Sequence, residues 1–175
     1  MRRTLIVALC LLSTAGLSAR MGHAEGFSGL EILPLPVMPE DAPGPRGTDG
    51  TPIPLSGAPV TVLNFWATWC APCIAELPAL SRAAAALAGD DVTVLLVSID
   101  RGGAAKALPF LDTHGVTGVR LGFDPKARLS REMQVRGLPT TILLPAGQDA
   151  AWRFIGPFEW DDQEMLDLVR RLLAP

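Results

Sequence analysis

Apolar runs of strand length alternate with alanine-rich segments in the middle of the chain. The β-branched run from Val60 to Trp66 predicts a strand, and residues 71–88, rich in good helix formers, predict a helix. Residues 89–91 end that helix, and the apolar run from Val92 to Ile99 predicts a strand buried on both faces. A helix over residues 103–114 follows, so the pattern predicts a complete βαβ unit.

The pattern continues with shorter elements toward the C-terminus. It predicts a strand over 119–123, a helix over 125–133 capped by Asp124, a strand pair over 140–144 and 151–155 turned at Ala146-Gly147, and a last helix over 161–173. The order βαβαβαββα favours an α/β fold with a mixed sheet and helices on both faces. A chain of 175 residues is long enough for one such domain and too short for two.

Proline and glycine are frequent in residues 25–59, and they disfavour long helices and central strands there. Residues 25–45 are therefore predicted to be an extended lead-in, and the folded domain is predicted to span residues 46–175. Asp49-Gly50 is a tight-turn dipeptide followed by the alternating apolar residues Ile53 and Leu55. This combination predicts a short N-terminal β-hairpin over residues 46–56.

The first 24 residues have the pattern of a secretory signal. A basic start precedes an apolar run from Leu5 to Leu12, and small residues follow. Gly22 and Ala24 predict cleavage after Ala24, with Ala19 as a weaker alternative. An uncleaved N-terminal anchor is the other alternative, although the apolar run is short for a membrane span. In either case we expect the folded part to lie outside the cytoplasm.

The charge balance disfavours some classes of partner. The chain carries a net charge of −3, and removal of residues 1–24 would take away Arg2, Arg3 and Arg20 but no acidic residue, leaving −6. Such an acidic protein is poorly suited to nucleic acid or to anionic membrane surfaces.

Three cysteines are present, and only Cys70 and Cys73 would remain after export. Cys10 lies in the apolar segment without the preceding small residue expected of a lipid-modified cysteine, so we interpret it as part of the signal. Exported proteins can form disulfides, yet a loop of two intervening residues constrains the unfolded chain too little for a structural disulfide. The pair is better explained by chemistry.

Cys70 falls where the predicted strand and its exit loop meet the predicted helix. The unpaired N–H groups and partial positive charge of a helix N-terminus favour the thiolate of a cysteine there. Pro72 fits an early helical position because its missing N–H costs nothing at that point. Cys73 would face inward, so that Cys70 attacks a partner disulfide and Cys73 resolves the mixed disulfide.

Two metal functions compete with this interpretation. A Cys-x-x-Cys pair can be half of a zinc site, but a second half is missing, because His114 is the only histidine after residue 24. The same scarcity of histidine disfavours a Cys-His hydrolase. A copper chaperone that holds Cu(I) between the two thiolates stays open as the alternative, although no motif identifies a further ligand. We expect no metal and no cofactor beyond the redox-active disulfide Cys70–Cys73.

The residues from Asn64 to Pro78, with the run Trp69-Cys70-Ala71-Pro72-Cys73, closely resemble the active-site signature of TlpA/ResA-like thiol-disulfide reductases. Residues 137–141, Gly-Leu-Pro-Thr-Thr, resemble the loop that carries the cis-proline of thioredoxin folds. The likeness extends from residue 30 to the C-terminus. It implies a thioredoxin fold of the extracytoplasmic AhpC/TSA-like branch, with an N-terminal β-hairpin extension and a central αβ insertion.

The resemblance also implies roles for two further residues. Pro139 would be cis and packed beside the two sulfurs. Glu76 would exchange protons with the cysteines, since it lies three residues after Cys73 and hence on the same helical face. A solvated surface glutamate is the alternative. Cytosolic thioredoxins carry an aspartate near the end of the first core strand, where this chain has Asn64, and this departure strengthens Glu76 as the substitute.

Substrate contacts are expected next to the cysteines and the loop proline, from Trp69, Ala71, Pro72 and Leu138. Trp69 should be partly exposed for this purpose. Trp66, at the end of the strand, is expected in the core.

The implied function is an extracytoplasmic thiol-disulfide interchange enzyme that reduces protein disulfides in cytochrome c or copper-centre biogenesis. The implied partners are disulfide-containing proteins and a membrane electron donor of the DsbD/CcdA type. The implied location is the periplasm, with a membrane anchor as an option. The related CcmG/DsbE branch usually has an acidic residue directly after the loop proline, so Thr140 counts against that branch.

Overall fold

The computed structural model describes residues 30–34, 44–55, 58–147 and 150–172. The predicted signal with its cleavage site, Cys10 and most of the predicted lead-in lie outside these residues. Within them six strands and four helices follow one another: β1 (Leu30–Pro34), β2 (Val60–Trp66), α1 (Ala71–Ala86), β3 (Val92–Ser98), α2 (Ala104–Thr113), β4 (Arg120–Phe123), α3 (Arg128–Glu132), β5 (Thr140–Pro145), β6 (Ala150–Ile155) and α4 (Gln163–Arg171).

The strands form one mixed sheet in the order β1-β6-β5-β2-β3-β4. β2 pairs in parallel with β3, and β3 pairs in parallel with β4. β5 lies antiparallel to β2, and β6 lies antiparallel to β5. Parallel neighbours need crossover connections, which α1 and α2 supply. The arrangement confirms the predicted thioredoxin-like α/β fold, in which α2 and β4 form the central insertion.

Apolar side chains cover both faces of the sheet. α1, α2 and α4 pack on one face through residues that include Leu77, Leu111 and Val169. α3 packs on the other face through Leu129, together with Ile53. Burying one such aliphatic side chain stabilises a fold by about 1.5–3 kcal/mol. β2 lies between the two layers with every residue buried, which is why its sequence is nearly continuously apolar.

Strand β1 is an addition to the predicted elements. Its residues fall within the predicted lead-in over residues 25–45, where the density of prolines argued against a central strand. It pairs antiparallel to β6 at the edge of the sheet, a position that tolerates Pro34. Glu31 forms an ion pair at 3.0 Å with the buried Arg153 of β6. The folded sheet therefore begins before residue 46.

The predicted hairpin around Asp49-Gly50 is a tight turn with one isolated bridge, between Arg46 and Pro52, in place of two paired strands. Thr51 donates its N–H to Asp49 Oδ1 at 3.0 Å, and Gly50 has a φ of +79°, which glycine adopts without strain. The neighbouring prolines lack the N–H that a longer ladder needs. Arg46 also bridges Phe123 of β4, so the turn docks on the sheet.

Helix α3 is shorter than the predicted 125–133. Its N-cap residue is Ala127 and not the predicted Asp124, although the Asp124 carboxylate still accepts two backbone N–H groups of the helix at 2.7 and 2.9 Å. Ala127 has a left-handed backbone, with a φ of +51°, which delays the start of the helix. The other three helices begin and end within two residues of their predicted bounds. No helix in the described part of the chain is long and apolar enough to cross a membrane.

Candidate active site

Cys70 lies at the strand–helix junction that the sequence predicts. β2 ends at Trp66, three loop residues follow, and Cys70 is the N-cap of α1 with an extended backbone. Its Sγ accepts the backbone N–H of Cys73 at 3.3 Å. This N–H belongs to the donors that a helix start leaves unpaired, so a negative charge on Sγ is stabilised here.

The second cysteine faces the core. Cys73 is fully buried and forms a disulfide with Cys70, and the two Cα atoms are 5.3 Å apart. Ala71 and Pro72 are exposed in the first turn of α1, where proline interrupts no hydrogen bond. Cys70 is slightly exposed to solvent, whereas Cys73 is not, so an external thiolate or disulfide can reach only Cys70 directly.

Asp100, two residues after β3, holds the loop before Cys70, and the sequence pattern did not identify it. Its buried carboxylate accepts the backbone N–H of Thr68 at 2.9 Å and the Thr68 hydroxyl at 2.8 Å. Ser98 Oγ at 3.0 Å and the Lys106 ammonium at 3.2 Å contact the same group. Burial by itself would raise the pKa of Asp100, but these donors outweigh burial and hold the pKa below 3.8. The sequence feature that could have identified Asp100 is its position as an acidic residue directly after the predicted buried strand, which ends at Ile99.

Asp100→Asn is expected to slow disulfide exchange about tenfold, because small displacements of a reacting group are costly. Asparagine replaces one carboxylate oxygen by a donor, so part of the hydrogen bonding to Thr68 is lost and the loop before Cys70 loosens. Since its pKa is lowered, Asp100 stabilises the fold above pH 3.8, and this contribution is lost as the pH falls through the folded pKa. Turnover at pH 7 and acid unfolding curves measure the two effects.

The matched control for Asp100→Asn is Asp112→Asn, which changes an exposed aspartate of α2. It should leave both turnover and acid unfolding unchanged. Normal turnover in Asp100→Asn would show that the position of Cys70 does not depend on this carboxylate.

Glu76 is buried, so the alternative of a solvated surface glutamate is wrong. It is 3% exposed and lies one turn after Cys73 in α1. Its carboxylate accepts hydrogen bonds from Asn64 Nδ2 at 2.7 Å, and from the Phe158 N–H and the Trp160 indole N–H at 3.2 Å each. Burial outweighs these bonds and raises the pKa of Glu76 to about 7. A carboxyl with this pKa can take up or release a proton near neutral pH.

Asn64 connects two sides of the site from the middle of β2. Its Nδ2 donates to Glu76 and, at 2.9 Å, to Thr141 Oγ1 on β5. Its Oδ1 is buried and has no hydrogen-bond partner among the described residues. The side-chain amide of Asn64 therefore orients the Glu76 carboxyl. The sequence comparison showed only that Asn64 replaces the thioredoxin aspartate, and it did not reveal this role.

The segment before α4 also contributes to the site. Residues 159–162 lie directly before α4, and the sequence pattern did not identify a functional residue among them. Trp160 is nevertheless buried and donates its indole N–H to Glu76. No local pattern relates position 160 to position 76, because only the packing of α4 beside α1 brings the two together.

The loop proline lies at the cysteine end of the sheet. The Leu138–Pro139 peptide bond is cis, in agreement with the resemblance. The first two residues of β5 pair with the end of β2, so the loop before them lies at the sheet edge from which Cys70 emerges. Pro139 is buried and Leu138 is half-buried. Contact of either residue with a substrate stays a prediction.

Trp66, at the end of β2, and Trp69, in the loop that follows, differ in exposure as predicted. Trp66 is buried, and its ring centre lies 5.9 Å from that of Phe110 on α2. Trp69 is 65% exposed directly before the nucleophile. A large exposed aromatic ring in this position is available to a partner molecule.

His114 follows the last residue of α2, where its Nδ1 lies 2.8 Å from the Phe110 carbonyl oxygen. His114 thus caps the C-terminal end of α2. Among the described residues, no three His, Cys, Asp or Glu side chains are grouped so that they could hold a metal ion.

The family model of the AhpC/TSA family matches residues 43–148. The chain belongs to this family. Within it, this chain is a thioredoxin-like thiol-disulfide oxidoreductase of the TlpA/ResA-like branch. Over 103 residues it is 35% identical to the thiol:disulfide interchange protein DsbE homolog of Paracoccus denitrificans, covering 59% of this chain and 54% of that protein.

In two further similar proteins the match covers a larger share of the other protein. HelX of Rhodobacter capsulatus, also named a thiol:disulfide interchange protein, is 29% identical over 162 residues, which is 89% of each chain. A crystal structure described as thiol:disulfide interchange protein DsbE from Chlorobium tepidum matches with a TM-score of 0.65 at 27% identity, covering 76% of this chain and 95% of that one. That Thr140 counts against the CcmG/DsbE branch stays a prediction.

Proposed function

We propose that this oxidoreductase reduces disulfides in other proteins, with Cys70 as the attacking thiol and Cys73 as the resolving thiol. The observation that carries the proposal is the burial of Glu76 one turn after Cys73. A buried carboxyl disfavours a thiolate beside it and so destabilises the ionised dithiol. Pairs with a stabilised reduced form are oxidants, and the opposite arrangement favours a reductant.

The reaction transfers two electrons from the dithiol to the substrate. The Cys70 thiolate attacks one substrate sulfur, a mixed disulfide forms, and the other substrate sulfur leaves as a thiolate that takes up a proton. Glu76 accepts the proton of the Cys73 thiol, and the Cys73 thiolate then attacks Cys70 Sγ. The mixed disulfide breaks, the second substrate thiolate is released, and the Cys70–Cys73 disulfide remains. An external dithiol must reduce it before the next cycle.

The substrate chain would lie across the exposed end of the site. Trp69, Ala71 and Pro72 are exposed around Cys70, and Leu138 is half-buried beside Pro139. The backbone next to Pro139 would pair with the bound chain and align its disulfide with Cys70 Sγ.

The cellular setting that we propose is the periplasm. It is supported by the signal pattern of residues 1–24, which would be cleaved after Ala24 or retained as an anchor, and by the likeness to DsbE and HelX proteins. The recipients would be disulfide-containing proteins of cytochrome c or copper-centre biogenesis. A membrane electron donor of the DsbD/CcdA type would re-reduce the protein. The mass of the mature N-terminus distinguishes cleavage from anchoring.

Insulin reduction by dithiothreitol and a redox titration of the cysteine pair test the proposal. We expect catalysed insulin reduction that is lost in Cys70→Ser. We also expect a reduction potential of about −270 mV, the value of thioredoxin. A potential near that of DsbA, about −120 mV, would overturn the reductase direction. Tight stoichiometric Cu(I) binding without disulfide turnover would favour the copper chaperone instead.

A further inference from the structure

A cleft of about 870 Å³ opens beside Trp69, between the loops that follow β3 and β4. Among the described residues that line it, the only acidic one is Asp100, whose buried carboxylate already binds Thr68, Ser98 and Lys106. Four lining residues are basic and exposed: Arg101, Lys106, Lys126 and Arg131.

Three of these cations are not neutralised within the part of the chain that the structure describes. Lys106 lies 3.2 Å from Asp100, whereas Arg101, Lys126 and Arg131 form no ion pair there. On other surfaces Arg82, Arg136 and Arg170 are paired with acids, whereas other exposed arginines, among them Arg128 and Arg171, form no ion pair within the described residues. The whole chain has 18 acidic and 15 basic residues, so the positive charge of the cleft is a local feature.

The positive surface continues beyond the cleft. Pro125 and Lys126 are shared with a smaller cavity of about 240 Å³, which Arg46, Arg128 and the buried Asp124 also line; the Asp124 carboxylate accepts two backbone N–H groups of α3. At its other end the cleft is lined by Trp69, which directly precedes Cys70 in the chain. Cys70 itself does not line the cleft, so a segment bound there would reach the reacting sulfur by passing Trp69.

We propose that this cleft binds acidic residues that flank the disulfide of the substrate polypeptide. The inference rests on the proposed function and names its class of substrate, a polypeptide with Asp or Glu close to the reacting cysteine. A cleft of this volume is about 10 Å across, the length of about three residues of extended chain. The acidic residues would thus lie within about three residues of the cysteine.

The side chains of the cleft suit carboxylates. Arginine presents a planar fork of donors that matches a carboxylate, and hydrogen bonds between ionised groups are stronger than neutral ones. The Trp69 ring would pack against the apolar parts of the same segment. The overall negative charge of the protein disfavours long polyanions, so a short acidic segment fits better than a nucleic acid.

The test uses three peptides that share one intramolecular disulfide and differ in the three flanking residues, which are Glu, Gln or Lys. One exposed ion pair changes an equilibrium by at most about fivefold, so three free cations should give the Glu peptide about a tenfold advantage in kcat/KM over the Gln peptide. The Lys peptide should fall below both. The differences should vanish near 1 M salt, where the screening length is about 3 Å. Equal kcat/KM for all three peptides at low salt would overturn the inference.

Charge reversal locates the effect. Lys126→Glu and Arg131→Glu together should reverse the preference toward the Lys peptide and leave kcat/KM for the Gln peptide within about twofold, since exposed charges act weakly on neutral ligands. Arg171→Glu is the matched control, because Arg171, like Arg131, is exposed in the last turn of a helix. Lys106 is kept, since it binds Asp100. An equal loss for all three peptides would contradict a role in charge selection.

A binding measurement separates this inference from the proposed function. A cysteine-free Glu-rich peptide is titrated into the oxidised protein while the indole N–H signal of Trp69 is followed by NMR. A shift that Arg131→Glu weakens, without turnover of any peptide, would support the cleft and refute the reductase. Turnover of all peptides at one rate without a shift would refute the cleft alone.

Discussion

Cys73→Ser is expected to stop the enzyme at a mixed disulfide with its substrate. The Sγ of Cys70 accepts the backbone N–H of residue 73, and this donor survives the substitution. The Cys70 thiolate therefore keeps its stabilisation and attacks the substrate disulfide as before. The serine hydroxyl is a much weaker nucleophile than the cysteine thiol, even beside Glu76, so the second step fails. Turnover should fall below detection while a covalent adduct accumulates.

Intact mass measured without reductant shows the adduct, and dithiothreitol should release it. Cys70→Ser, which removes the accessible sulfur and leaves the buried one, is the matched control and should form little adduct. If instead Cys70→Ser traps the substrate and Cys73→Ser does not, the roles of the two cysteines are reversed.

Glu76→Gln is expected to slow the resolving step about a hundredfold, since general base catalysis contributes on the order of 10²–10⁴. Ionised Glu76 takes the proton of Cys73, and the pKa of Glu76 is about 7. The rate of resolution in the native protein should therefore rise with pH through about 7. Glutamine cannot accept the proton, so this limb of the pH profile should disappear. Single-turnover kinetics with a peptide disulfide measure the step.

The same substitution should change how stability depends on pH. The carboxyl has a pKa of 4.5 when exposed and about 7 in the fold, so between these values the folded protein binds more protons than the unfolded one. Stability then falls as the pH rises. The shift corresponds to about 3 kcal/mol at about 1.4 kcal/mol per pH unit. Glu76→Gln should lack this decline, which urea unfolding at pH 4.5 and at pH 8 measures.

Glu132→Gln is the control for both measurements, because Glu132 is an exposed glutamate of α3. It should leave the pH profile and the stability curve of the native protein unchanged. A Glu76→Gln protein that keeps the rise in resolution rate near pH 7 would show that another group accepts the proton of Cys73.

The local sequence pattern predicted most of the strands and helices, because their formation depends on periodicity and propensity within the segment itself. The apolar run of β2 and the alanine-rich sequence of α1 indicate a strand and a helix by periodicity and propensity, and both begin where predicted. β1 escaped prediction because its support comes from β6, more than a hundred residues later, and from the Glu31–Arg153 ion pair. The start of α3 was not predicted correctly, because Ala127 has a left-handed backbone conformation that alanine rarely adopts.

The sequence by itself determined the chemistry of the site, because two cysteines with two intervening residues, one of them at a predicted helix N-terminus, follow from spacing and periodicity. Only the tertiary structure decided the surroundings of that pair. Glu76 is buried because β2 and the segment before α4 enclose it. The cations beside Trp69 come from two separate parts of the chain, the segment from the end of β3 into α2 and the segment from the end of β4 into α3. Burial and the pKa of a carboxyl depend on which distant segments displace water from it, and no local pattern records that.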